Sequence, residues 1–216
     1  SERLNIDPSK IEVMVPLAVP APHGNPSQAE LEHVRRKYAL PEHFILMIGT
    51  VESRHNHQAV FAALADVASP AGVVVCGRRT VWSDYLLGYA RARRIAARVD
   101  FIYELTPSDL PALFRLARVF AYLPDADAEA SVVPVVEALR AGLPMVLSDT
   151  QVNREAAGEA AAYVRPEARG EVLAALENAL EDVSWRRTMQ ERERRRAELF
   201  SEYAVAERLM QIYTSL

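Results

Sequence analysis

The chain is poor in several features that would assign it to particular classes of protein. A single cysteine, Cys76, among 216 residues rules out an internal disulfide and suits a reducing compartment. No stretch approaches the ~18 consecutive apolar residues of a membrane span, and no signal peptide opens the chain. A net charge of -4 leaves no basic face for nucleic acid. We therefore expect a cytoplasmic protein without a nucleic-acid partner.

Hydrophobic residues make up 50% of the chain, which is enough for one sizeable core. We interpret residues 1–216 as a single domain with a helical C-terminal segment from about residue 166. Six strand candidates alternate with helical patterns, at 44–48, 72–77, 99–103, 119–124, 144–147 and 160–164. This alternation predicts an α/β fold with a doubly wound, Rossmann-like parallel sheet and C-terminal helices. A further strand pattern at 11–19 is interrupted by Pro16. Helices are expected at 27–38 with Ser27 as the cap, from the loop at 51–57 through about residue 68, and from residue 83 to about residue 97.

The segment 125–149 has the pattern that most suggests a functional site. Pro134 introduces an apolar helix at 135–141, and Gly142 separates that helix from the next strand. Ser131 is a candidate cap for the helix. The unpaired amides at the start of a helix, together with the helix dipole, favour an anion such as a phosphate.

Two carboxylates flank Pro134 in this segment. Glu137 lies one turn inside the helix and is suited to accept hydrogen bonds from sugar hydroxyls, whereas Glu129 lies in the preceding loop and faces the cleft. A ligand that carries phosphate between two hydroxylated rings is a nucleotide sugar. The alternative is that Glu137 is a solvated helix carboxylate and Glu129 an ordinary loop charge.

Four loops carry residues that could build one site. Each of the loops at Gly49, Gly77, Leu105 and Glu129 follows a predicted strand. In doubly wound sheets, ligands bind beyond the carboxyl ends of the strands. The four loops are therefore expected to converge on a single cleft.

The stretch EASVVPVVEALRAGLPMV resembles the signature of the retaining GT-B glycosyltransferases of family four, roughly E-G-F-G-L-P-V-L-E-A-M-A-x-G-x-P-V. The two glutamates of the signature fall on Glu129 and Glu137, and its proline falls on Pro134. The resemblance implies one half of a GT-B fold, with Glu129 as the catalytic residue beside the transferred sugar and Glu137 on the ribose hydroxyls. The two glycines of the signature are replaced by Ala130 and Val132, and valine fits poorly where a positive φ is required.

The resemblance extends to three other loops. GTVESRHN is similar to the family's G-T-x-E-P-R-K-N, which implies that Arg54 and His55 contact the donor diphosphate, with His55 in the place of a lysine. CGRRTVW is similar to V-G-K-K-G-W and makes Arg78 a phosphate candidate. Leu105 occupies the position whose backbone holds the nucleotide base. The amides of Ser131, Val132 and Val133 complete the implied diphosphate contacts.

The histidine at position 55 changes the expected chemistry, because lysine is charged at neutral pH whereas histidine is mostly neutral. The diphosphate affinity is therefore expected to be weaker or pH-dependent, with partial compensation by Arg54. Two alternatives remain for His55 and His57. They could be exposed loop histidines, or they could bind a metal, although the sequence nearby offers no third ligand.

The sequence predicts the donor-binding domain of a retaining glycosyltransferase that uses a nucleotide sugar as substrate and needs neither a cofactor nor a metal. Family members carry a second, N-terminal domain that binds the acceptor, so the partners implied are that domain and an acceptor glycan or lipid-linked sugar. The chain alone is expected to be inactive, and the parent enzyme could associate peripherally with a membrane. Two other hypotheses stay open, a non-catalytic binding or assembly module and a sugar-nucleotide epimerase.

Overall fold

A computed structural model of the chain describes residues 7, 11, 25–126 and 131–214. Within these ranges one parallel sheet has the strand order β3-β2-β1-β4-β5-β6. The strands are β1 (Phe44–Ile48), β2 (Gly72–Cys76), β3 (Val99–Ile102), β4 (Val119–Tyr122), β5 (Met145–Ser148) and β6 (Ala162–Val164). This order is that of a doubly wound Rossmann-like sheet, so the predicted fold class is confirmed. Residues 12–19 of the strand expected at 11–19 lie outside the described residues.

Helices cover both faces of the sheet. Their bounds are α1 (Gln28–Lys37), α2 (His57–Leu64), α3 (Val81–Ala92), α4 (Leu110–Leu116), α5 (Val133–Ala141), α6 (Gln151–Ala157), α7 (Arg169–Glu181), α8 (Val183–Ala197) and α9 (Glu202–Thr214). One core cluster lies between the sheet and α1, α4, α5 and α6. A second lies between the sheet and α2, α3 and α7. The strands are therefore buried on both sides, which explains their continuous apolar sequences.

Strand β1 shows how the two cores share the sheet. Phe44 and Leu46 belong to the first cluster, whereas Ile45 and Met47 belong to the second. All four side chains are buried. Because successive side chains of a strand point to opposite faces, an apolar residue is needed at every position of a strand that is covered on both sides.

The helix boundaries follow local signals in two cases. Ser27 caps α1 in a reciprocal arrangement with Glu30, whose carboxylate accepts a hydrogen bond from the Ser27 amide at 2.7 Å. Gly142 ends α5 in the left-handed region with φ 62°, which glycine adopts without steric cost. Both features match the sequence expectation.

Two helices end earlier than expected. Helix α2 stops at Leu64 and not near residue 68, and the Arg98 guanidinium donates to the Leu64 carbonyl at 3.1 Å and to the Ser69 carbonyl at 2.7 Å. Helix α3 stops at Ala92 and not near residue 97, because Arg94 adopts φ 58° and cannot continue a right-handed helix. The end of α2 is thus fixed by a side chain distant in sequence, and the end of α3 by one backbone angle.

The C-terminal helices differ in how they are packed. Helix α8 packs against α5 and α7, and Asp182 caps it by accepting a hydrogen bond from the Trp185 amide at 2.9 Å. Helix α9 has no buried residue among those described. None of the helices in the described part of the chain has the length and apolar character needed to cross a bilayer.

Candidate functional site

The loops after β1 and β2 touch through two glycines at the carboxyl edge of the sheet. Gly49 has φ 143° and donates from its amide to the Cys76 carbonyl at 3.0 Å. A Cβ atom on Gly77 would lie 1.8 Å from the Gly49 oxygen, so only glycine fits at position 77. The amide of Val51 then donates to the Arg78 carbonyl at 3.1 Å. Direct backbone contact therefore sets the relative position of these loops.

Asn56 joins the β1 loop to the β4 loop. Its side-chain amide donates to the Leu123 carbonyl at 2.9 Å and to the Asp125 carboxylate at 2.6 Å. The Asp125 amide returns a hydrogen bond to the Arg54 carbonyl at 2.8 Å. Asn56 also has φ 51°, a conformation that asparagine tolerates better than most residues. Sequence reasoning assigned no role to Asn56, although the final N of the G-T-x-E-P-R-K-N pattern was the available signal.

The β4 loop is held in turn by the end of β5. The Ser148 hydroxyl donates to the Pro124 carbonyl at 2.8 Å. The Asn153 side chain donates to the Ser148 carbonyl at 2.9 Å, and both polar side chains are buried. Loops from β1, β2, β4 and β5 thus form one connected rim at the carboxyl edge of the sheet. Of the four loops predicted to converge, those at Gly49 and Gly77 meet, and Glu129 lies outside the described residues.

Arg54 and His55 lie on the β1 loop. The Arg54 guanidinium pairs with the Glu52 carboxylate at 2.6 Å and stays partly exposed. His55 is only 5% exposed, and its Nδ1 lies 2.5 Å from the Thr50 carbonyl oxygen. The ring packs so closely on Gly49 that a Cβ atom there would lie 3.2 Å from it. His55 is therefore positioned by the protein, and the interpretation of an exposed loop histidine is wrong.

His57, the first residue of α2, is more deeply buried, at 1% exposure. Its ring centroid is 6.0 Å from that of His55. Burial, and next the charge of His55, lower the pKa of His57 to about 4. His57 is therefore neutral near pH 7, and exposure is wrong for this histidine as well. Within the described ranges no cluster of three His, Cys, Asp or Glu residues could hold a metal.

Arg78 and Leu105 occupy the two neighbouring loops. Arg78 is exposed and its side chain makes no hydrogen bond or ion pair with the described residues, whereas Arg79 pairs with Asp84 at 2.8 Å. Leu105 is half-buried against the first core cluster. Its backbone amide and carbonyl make no hydrogen bond in the described ranges. The Arg78 side chain and the backbone of Leu105 are therefore available to bind a ligand such as a nucleotide base.

The start of α5 differs from the expectation in one respect. The capping position belongs to Val132, with φ −92°, and no side chain caps the helix. The predicted cap at Ser131 is therefore wrong, because the helix begins one residue later than a serine cap would require. The Ser131 carbonyl instead accepts a hydrogen bond from the Tyr122 hydroxyl at 3.4 Å. A negative φ is ordinary for valine, so the replacement of glycine at position 132 causes no strain.

The first amides of α5 are available to a ligand. Those of Val132 and Val133 donate to no described residue, and Pro134 in the first turn has no amide to donate. Unpaired amides and the positive end of the helix dipole make this helix start favourable for an anion.

Glu137 lies one turn further along α5. Its carboxylate is half-buried and makes no hydrogen bond or ion pair with the residues that the structure describes. Burial raises the pKa of Glu137, and the charge of Arg140 acts in the opposite direction. A half-buried carboxylate without hydrogen-bond donors is costly for a folded protein, so this group is suited to accept hydrogen bonds from a ligand.

Glu129 and Ala130 lie outside the described residues. The expected position of Glu129 beside the transferred sugar, and its separation from Glu137, therefore remain predictions. The other predicted site residues lie within the described ranges: Arg54, His55, Arg78, Leu105, Ser131, Val132, Val133 and Glu137. That they bind one ligand together also remains a prediction.

Comparison with known proteins gives consistent results. The model of the family described as "Glycosyl transferases group 1" matches residues 30–196. The O-antigen chain mannosyltransferase B of Escherichia coli is 27% identical over 180 residues, which cover 81% of this chain and 47% of that protein.

Two solved structures illustrate the similarity of fold. WaaG, a glycosyltransferase involved in lipopolysaccharide biosynthesis, superposes with a TM-score of 0.78 at 18% identity, over 95% of this chain and 57% of its own. HepE of Anabaena, in complex with UDP and glucose, superposes with a TM-score of 0.76 at 16% identity, over 88% of this chain and 53% of its own. The chain thus spans about half the length of the proteins it matches.

Proposed function

The chain belongs to the glycosyl transferases group 1 family, and we propose that it is the donor-binding half of a retaining enzyme of that family. The enzyme would transfer a sugar from a nucleotide-sugar donor to an acceptor glycan or lipid-linked sugar. The acceptor would lie on a separate N-terminal domain, so that the present chain binds the donor but turns over little or nothing by itself.

Glu137 carries the proposal. Its half-buried carboxylate accepts no hydrogen bond from a described residue, and it lies one turn from a helix start whose amides donate to no described residue. This arrangement matches the ribose and diphosphate of one nucleotide. The ribose hydroxyls would donate to Glu137, while the diphosphate would accept from Val132 and Val133.

The remaining donor contacts come from the other loops. Arg54, His55 and Arg78 would neutralise the leaving diphosphate, and the backbone of Leu105 would hold the base. Ser131 would contribute its amide, and Glu129 would orient or stabilise the donor sugar. No metal and no cofactor takes part in this scheme.

The similar proteins support a nucleotide-sugar donor. The solved complexes of HepE contain UDP and glucose in one case and UDP-glucose in another. The names of WaaG and of the Escherichia coli mannosyltransferase refer to lipopolysaccharide and O-antigen, which supports a cell-surface glycan as the acceptor class. A cytoplasmic location, where such donors would be supplied, remains part of the proposal.

Calorimetric titration of the folded chain with UDP, GDP, ADP and CDP tests donor binding. We expect one nucleotide to bind with a one-to-one stoichiometry and the others to bind more weakly. Absence of binding by every nucleotide at millimolar concentration would refute the proposed donor site. Robust sugar transfer by the isolated chain would contradict the assignment of acceptor binding to a separate domain.

A non-catalytic binding or assembly module is the second candidate. It is favoured by the position of His55, which is buried and bonded through Nδ1 to the Thr50 carbonyl where the family has a charged lysine. A module of this kind would fold normally and fail the nucleotide titration.

A further inference from the structure

Two adjoining cavities lie at the opposite edge of the sheet from the proposed donor cleft. Their volumes are about 340 and 290 Å³. Arg118 directly precedes β4 and Pro144 directly precedes β5, which places the cavities at the amino ends of these strands. Five arginines line them: Arg115, Arg118, Arg140, Arg186 and Arg194. None of the described residues that line them is acidic.

Three of these arginines have a structural role. Arg115 donates to the Ala141 carbonyl at 3.2 Å, at the end of α5. Arg186 donates to the Leu180 carbonyl at 2.6 Å, at the end of α7. Arg140 donates to the carbonyl of Phe200 at 2.7 Å. These contacts offset the negative ends of helix dipoles and would explain an arginine at each of the three positions.

Arg118 and Arg194 are not explained in this way. Neither side chain makes a hydrogen bond or an ion pair with any described residue. Arg118 is half-buried and near Arg186, which is itself only 9% exposed. Burial, and next the charge of Arg118, lower the pKa of Arg186, whereas Glu181 and Asp182 act in the opposite direction. Two like charges, those of Arg118 and Arg186, thus interact beside the cavities, an arrangement that an anion would relieve.

We propose that the paired cavities are a binding site for a phosphate-bearing group, held chiefly by Arg118 and Arg194. Guanidinium groups match the geometry of phosphate oxygens and bind them in a bidentate manner. A volume of about 340 Å³ in one cavity alone leaves room for the molecule to which the phosphate is attached. The source is either a soluble phosphate ester or the headgroup of an anionic lipid, which present the same chemistry.

This site is separate from the proposed donor cleft. Helix α5 has its first turn in the cleft and its last turn in the wall of the cavities, and its nine residues span about 13 Å. The amide of Gly142, at the far end of α5, therefore reports on the cavities. The side chain of Gln190, which donates to the Gly142 carbonyl at 3.4 Å, is a second reporter.

The test uses NMR titration of the full chain with inorganic phosphate, at constant ionic strength set with chloride. We expect saturable shifts of the Gly142 amide and the Gln190 side chain. The double variant Arg118→Gln with Arg194→Gln should bind phosphate at least about tenfold more weakly. It should keep its fold, because neither arginine side chain bonds to any described residue. The control, Arg36→Gln with Arg91→Gln, changes two exposed arginines outside the cavities and should bind as the wild type does.

Co-sedimentation with vesicles identifies the source of the phosphate. Binding to phosphatidylglycerol vesicles but not to phosphatidylcholine vesicles, lost in the Arg118 and Arg194 double variant and kept in the control, would assign the site to a lipid headgroup. Saturable phosphate binding without vesicle binding would assign it to a soluble ester. The proposal is overturned if neither probe binds at this site, or if the control variant loses as much affinity as the double variant. Failure of nucleotide binding in the donor cleft would not affect these outcomes.

Discussion

Replacing Glu137 by glutamine should weaken nucleotide binding without weakening the fold. The substitution keeps the size of the side chain and removes its charge. Because burial raises the pKa of Glu137, its stabilising contribution is present below the unfolded pKa and is lost as the pH rises through the folded value. The wild type loses that contribution as the carboxyl ionises, whereas a neutral glutamine has no such loss. We expect Glu137→Gln to melt at the same temperature as the wild type or higher.

The effect on binding has the opposite sign. In the proposed complex the ribose hydroxyls donate to a charged acceptor, and hydrogen bonds to charged groups contribute about 1.5–3 kcal/mol each. Glutamine keeps one carbonyl oxygen as an acceptor, so the loss corresponds to roughly one such bond. The dissociation constant for the preferred nucleoside diphosphate should therefore rise by about 10- to 100-fold.

Isothermal titration calorimetry and thermal melting of the same samples measure both quantities. Glu177→Gln is the matched control, since Glu177 is also half-buried but lies on α7, across the sheet from α5. The reasoning is refuted if Glu137→Gln binds nucleotide as tightly as the wild type. It is equally refuted if Glu177→Gln loses as much affinity, or if the affinity of Glu137→Gln falls only because the protein has unfolded.

Three further predictions concern stability and are measured by urea denaturation. Gly77→Ala should lower the free energy of unfolding by about 3 kcal/mol, because the new Cβ atom would overlap a backbone oxygen. Gly88→Ala, in an open position on α3, should raise it by about 0.5–1 kcal/mol. Equal effects of the two substitutions would contradict the loop geometry. Burial raises the pKa of Glu193 from the ordinary value of 4.5 to about 8, so wild-type stability should fall as the pH rises from about 4.5 to about 8, and Glu193→Gln should lose less over that range. Parallel pH profiles would exclude this cause. Asn56→Ala should lower the free energy of unfolding by about 1 kcal/mol more than Asn56→Gly does. Both substitutions remove the contacts to the β4 loop, but only glycine adopts the positive φ without strain. Identical losses of stability would rule out strain at this position.

Much of the fold could be predicted because its signals are local. The apolar run of β1, the Ser27 cap with Glu30 and the glycine at the end of α5 each act over a few residues. Strand-end loops in a doubly wound sheet must share one edge, so the meeting of the loops at Gly49 and Gly77 could also be anticipated. The family motifs predicted donor contacts without revealing their geometry.

Other features depend on contacts between residues far apart in the chain. Burial of His55 comes from the way the β1 loop folds over Gly49, and Arg98, which directly precedes β3, donates to the carbonyl at the end of α2. The capping position of α5 is Val132 and not the predicted Ser131, since the start of a helix depends on tertiary packing.

The sequence by itself determined the order of strands and helices, the glycine turns and which loops follow the carboxyl ends of strands, because periodicity and backbone preference act over short stretches. Only the tertiary structure decided that Asn56 holds two loops together, that Glu137 has no hydrogen-bond partner among the described residues and that five arginines meet at the far edge of the sheet. Burial and the proximity of charges are properties of the folded arrangement, and no short stretch of the chain specifies them.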